Sequence, residues 1–133
     1  MVEAARRAGR PFHCGFNHRF FPAIQAVREA VSSGRLGALD RVRAYAGHAG
    51  APEFSTPWIT DPGVVGGGAL MDNGIHVLDL VRHFAGEIVE VAARVSSRVY
   101  GLPVEDHGAI QMVASGGLLA EVEASWTDWN GYS

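Results

Sequence analysis

Hydrophobic positions along this chain change their period several times, and each change marks an element. Residues 2–8 are strong helix formers stopped by Gly9, a C-terminal cap. The short apolar run Pro11–Phe16 predicts a buried strand, and Asn17-His18-Arg19 a loop. Pro22 suits a first helical turn, so a second helix is expected from Ala23 to about Ser33, closed by Gly34. From Leu39 to Ala46 apolar residues interleave with charges and Tyr45, which predicts a strand. Residues 47–68 show no period and are rich in Gly, Pro, Ser and Thr, a loop long enough to be functional or mobile. The strongest helix follows, Ala69 to Phe84, ended by Ala85-Gly86.

Three β segments come after it: Ile88–Tyr100, His107–Ala114 and Leu118–Trp126, the last two joined by the tight turn Ser115-Gly116-Gly117. In the third, Leu119, Val122, Ala124 and Trp126 partly alternate with Glu121, Glu123 and Ser125, as in a sheet with one wet face. Trp126 and Trp129 both look for burial.

Composition narrows the possibilities. A chain of 133 residues with net charge −3 makes one domain, and its scattered arginines give no clustered basic face for nucleic acid. No apolar run approaches the ~20 residues of a membrane helix, and the first residues lack the apolar stretch of a signal peptide. The cytoplasm is the expected location. The single cysteine, Cys14, has apolar neighbours and is expected to pack as a small hydrophobe. All 11 basic residues are arginine. Without a lysine there is no Schiff-base lysine, no lysine acid or base, and no phosphate-cradling P-loop lysine among these residues.

Chemistry concentrates on the helix 69–84. At 100° per residue Asp72, His76, Asp79 and His83 fall on one stripe, opposite Leu70, Val77, Leu78, Leu80, Val81 and Phe84. Three readings fit the stripe. It can be a solvated face of weak acid–histidine pairs. It can be part of a metal site through His76, Asp79 and His83, although no further ligands lie nearby. It can be an acid/base pair, with Asp72 holding one ring nitrogen of His76 and the other free to take a substrate proton. Gly66-Gly67-Gly68 just before the helix either brings backbone close to a ligand or makes a sharp turn, and it is no dinucleotide fingerprint.

The run from Gly66 through Asp72, Gly74, His76 and Asp79 to Leu80 resembles the central signature of the Gfo/Idh/MocA oxidoreductases. Gly15-Phe-Asn17-His-Arg19-Phe-Phe-Pro22, Ser33-Gly34-Arg-Leu-Gly37 and Trp58 with Asp61-Pro62 match in order. The resemblance implies a two-domain enzyme that binds NAD or NADP in a Rossmann domain and a sugar, cyclitol or related polyol in an α+β domain. That second domain carries a mostly antiparallel mixed sheet, with helices packed on one face and pairing of subunits through the sheet into a homo-oligomer. His76 would then be the proton acceptor and donor, assisted by Asp72. Asn17 and Arg19 would lie near the cofactor, and Trp58 would wall the substrate site; no metal is implied. Asp79 would be structural, holding His76 or a backbone amide.

The family's catalytic lysine belongs to a Glu-Lys-Pro element expected just ahead of residue 1. Residues 1–16 are therefore expected to be the last helix and strand of a cofactor domain. Residues 17–133 would be a substrate-binding and oligomerisation domain cut at its C-terminus, inactive alone. A non-catalytic binding or oligomerisation module is the alternative.

Overall fold

The structure, a computed structural model, describes residues 1–50 and 57–128. Among the described residues four strands form one sheet: β1 (Arg41–Gly47), β2 (Ile88–Ser96), β3 (His107–Ala114) and β4 (Leu119–Ser125), in the order β1-β4-β3-β2. β1 runs parallel to β4, while β2–β3 and β3–β4 are antiparallel. The fold is α+β with a mixed, mostly antiparallel sheet, as the family resemblance implies. The β3–β4 turn closes through Gly117, whose N–H bonds Ala114 and whose φ is +82°.

One helix, α4 (Ile75–Ala85), covers the β1–β4 half of this sheet. Its Val77 and Val81 meet Ala46, Ile110, Met112, Ala120 and Val122, the alternate positions that β1, β3 and β4 turn toward the helix. The intervening positions form the uncovered face, where Arg43 pairs with Glu121 directly across the β1–β4 ladder at 2.8 Å. A second apolar cluster sits beyond the end of β4, built on Trp126, Ala69 and Val104.

The remaining helices are α1 (Val2–Arg7), α2 (Pro22–Ser32, with Pro22 in its first turn) and the short α3 (Pro62–Val65); none has a fully buried residue. Single 3-10 turns occupy Asn17–Phe20 and Pro57–Thr60. Among the described residues no helix is long and apolar enough to cross a membrane.

Several expectations need correction. Pro11–Phe16 forms no strand: a strand needs a ladder partner, and this segment pairs with none of the described strands. Cys14 in that segment is exposed rather than packed. β2 stops at Ser96, short of Tyr100, because the buried Asp106 carboxylate accepts the N–H groups of Val99 and Tyr100 and draws them into a turn. The strongest helix begins with a π turn, Leu70–Gly74, before α4. Trp126 is buried, at 2% exposure, whereas Trp129 lies outside the described residues.

Candidate functional site

The start of the site helix is pinned by close backbone contacts. Ala69 N–H donates to the Glu105 carbonyl (2.9 Å) and Leu70 N–H to the Glu105 carboxylate (3.1 Å). A side chain at Gly68 would place its Cβ 1.9 Å from the Glu105 carbonyl oxygen, so only glycine lets these two strands of backbone touch. Gly74 likewise presses on Ala124, where a Cβ would stand 2.8 Å from that methyl. The buried Asn73 amide donates to the carbonyls of Ala46 (3.1 Å) and Ser125 (3.4 Å), bridging β1 and β4. Gly68 therefore serves packing of the helix start.

From this anchored start, the stripe seen in the sequence separates into distinct environments. The Oδ2 of Asp72 accepts from the Trp126 indole N–H at 2.9 Å and faces His48 Nε2 at 3.4 Å. The π turn shifts the phase of Asp72 against α4, and its described hydrogen bonds run to Trp126 and His48 rather than to His76. Beside Asp72 opens a cleft of about 360 Å³ walled by Trp58, Met71, His48, Val64, Val65 and Trp126. Trp58 is exposed, so its ring belongs to the cleft wall and not to the core. A larger hollow of about 850 Å³ lies over the uncovered sheet face, among Arg43, Tyr45, Arg94 and Glu123, away from this chemistry.

One turn along, His76 is held by aromatic neighbours. The His18 ring stacks on it, with centroids 4.5 Å apart at 28°, and Phe16 meets it edge-on at 6.1 Å and 84°. His76 Nδ1 is buried and has no hydrogen-bond partner among the described residues. Neither His18 nor His48 stands out in the sequence; His18 lies inside the Asn17–Arg19 motif, between residues that attract attention first.

Arg19 donates through Nε and Nη2 to both oxygens of Asp79, at 2.6 and 2.5 Å. This bidentate pair ties the 3-10 turn to α4 across 60 residues of sequence. The hydrogen bond to Asp79 raises the Arg19 pKa further and keeps the guanidinium charged. Asp79 thus holds Arg19. Asn17 is exposed at the start of the same turn.

Burial, and then the His76 charge, push the His18 pKa below its usual 6.5. Burial, and then Arg28 and Arg19, push His83 down as well, with Asp79 opposing. An unfolded chain takes up these protons before the folded one does. The two contributions to stability are complete above pH 6.5 and are lost as pH falls through the lowered folded-state values. The melting temperature is expected to fall from about pH 7.5 to about pH 5, with His18→Phe removing part of the slope. A melting temperature that rises over that range contradicts both directions.

Among the described residues no three His, Cys, Asp or Glu side chains converge as metal ligands would. Nor do the described residues supply a glycine-rich strand–turn–helix, since the sole parallel pair, β1–β4, is not preceded by such a turn.

Residues 24–133 match the GFO/IDH/MocA C-terminal domain model. The chain belongs to the Gfo/Idh/MocA family, its residues 24–133 matching that C-terminal domain. It is 32% identical to D-apiose dehydrogenase of Paraburkholderia graminis, over 95% of this chain and 33% of that protein. It is 31% identical to inositol 2-dehydrogenase of Rubrobacter xylanophilus, over 99% of this chain and 37% of that protein. The fold is that of the WlbA dehydrogenase from Bordetella pertussis in complex with NADH and UDP-GlcNAcA. That match has a TM-score of 0.86 and 21% identity, covering 98% of this chain and 38% of the other. The chain spans about a third of the length of the curated relatives it matches.

Proposed function

We propose that this chain is the substrate portion of an NAD(P)-dependent oxidoreductase acting on a sugar, cyclitol or related polyol hydroxyl. The observation that carries the reading is the helix start of a family C-terminal domain that sets Asp72 and His76 one turn apart, Asp72 in the wall of a cleft faced by Trp58. The names of the apiose and inositol dehydrogenases support the substrate class. A pyranose or cyclitol offers an apolar face to the Trp58 ring and a rim of hydroxyls to Asp72.

His76 works through Nε2, since Nδ1 is buried. In oxidation it takes the hydroxyl proton as the carbonyl forms; in reduction it returns that proton to the new alkoxide. Asp72 supports the site by binding substrate hydroxyls and by balancing the imidazolium, its orientation fixed by Trp126. The nicotinamide, NAD or NADP, is held mainly by residues outside this chain and supplies the hydride chemistry. Residues 1–16 close that cofactor domain in this reading, with Asn17 and Arg19 beside the junction. The charged, uncovered sheet face around Arg43 and Glu121 is where a second copy would pair.

The test is NAD(P)-linked oxidation of hexoses, cyclitols and other polyols by the chain joined to a dinucleotide-binding domain, beside the chain alone. Turnover is expected only in the joined protein. Tight NAD(P)H binding by the chain alone, or no turnover on any member of the panel, sinks the reading.

A further inference from the structure

An acid/base histidine needs its ring plane set, and the usual device is a hydrogen bond at the nitrogen away from the substrate. His76 lacks it: Nδ1 is buried without a partner, and Asp72 is engaged by Trp126 and His48. The groups in contact with the ring are aromatic instead. His18 covers one face at 4.5 Å and Phe16 meets it edge-on. His18 is backed in turn by Phe21 at 4.8 Å. This platform is anchored, because the adjacent Arg19 grips both oxygens of Asp79, three residues beyond His76.

Resting on the reading of His76 as the proton-transfer group, we propose that His18 is its positioning residue. Stacking fixes the His76 ring plane in place of a hydrogen bond, and a charge on the His76 ring disfavours a second charge on His18 beside it. The physical reason is distance. Two imidazolium charges about 4.5 Å apart repel even at high dielectric, so a charge on His76 opposes protonation of His18. The other charged or titratable groups around the pair are accounted for. On the same helix Asp79 is taken by Arg19, and Asp72 is held by Trp126 with His48 of the β1 end beside it. His83 lies farther along α4, where Arg28 of α2 donates to its carbonyl. The depressed pKa of His18, from burial and the His76 charge, agrees with a stack that resists a second proton.

Imidazole NMR on the whole chain tests this. His76→Phe keeps a ring in the stack and removes its charge, and the His18 titration midpoint is expected to rise by about half a pH unit or more. His18→Ala is expected to shift the His76 ring resonances as the stacked ring current is lost, and His18→Phe to restore most of that shift. An unmoved His18 midpoint in His76→Phe overturns the proposal. So do His76 resonances that His18→Ala leaves in place or that His18→Phe fails to restore. None of these readouts uses turnover. Their failure leaves the acid/base reading of His76 standing, whereas unchanged turnover in His76→Ala removes that reading and leaves the stack as measured.

Discussion

In the enzyme that carries this chain, replacing His76 with alanine is expected to cut turnover by roughly 10²–10⁴-fold, the usual contribution of one positioned acid or base. The loss falls on kcat more than on KM, because a proton-transfer group acts chiefly in the transition state. Folding is expected to survive the change. The helix is held at its start by Glu105 and Asn73 and along its length by Val77 and Val81, none of which touches the imidazole's role. Circular dichroism together with steady-state rates separates the two effects. Equal turnover in wild type and His76→Ala removes His76 from the mechanism, and the site then has to be rebuilt around Asp72 and the cleft.

The same helix explains why part of this arrangement could be read from the sequence and part could not. Local patterns carried the elements well. The β segment His107–Ala114 is found with those bounds, the glycine turn after it gives the hairpin, and the partly alternating Leu118–Trp126 gives β4 less one residue at each end, while the apolar side of α4 gives Val77 and Val81. Long-range pairings left no local trace. Asp72 meets Trp126 across 54 residues, and Arg19 meets Asp79 across 60. No periodicity encodes either partner. The 100° construction also assumed a uniform α-helix, and the π turn at Leu70–Gly74 breaks that assumption where Asp72 sits. Pro11–Phe16 shows a different limit: an apolar run reports a wish for burial, while a strand requires a neighbour with free backbone groups. His18 was visible within the Asn17–Arg19 motif, yet only the packing of that turn on α4 gives it a role.

Trp126 joins stability to the site, and its removal is expected to have the largest effect on folding. The ring is 2% exposed, packs with Ala69 and Val104, and is bordered by Ile59, Val65, Tyr100 and Leu102. Its backbone N–H also donates to Asp106, and its carbonyl accepts from Gly50. Truncation to alanine deletes the largest fully buried side chain among the described residues and leaves a cavity that these neighbours cannot close, at a cost of about 3–5 kcal/mol. A domain of this size has only ~5–15 kcal/mol in total, so Trp126→Ala should unfold at far lower urea or not fold at all. Trp126→Phe separates packing from polarity. Most of the apolar area stays, while the N–H to Asp72 is lost, and because Asp72 is exposed to water the cost should be nearer 1 kcal/mol. The phenylalanine variant should therefore fold with Asp72 loosened, lowering turnover through substrate placement rather than through proton transfer. If Trp126→Ala and Trp126→Phe shift the urea midpoint equally, packing is not what the ring contributes, and the second core cluster has been misjudged.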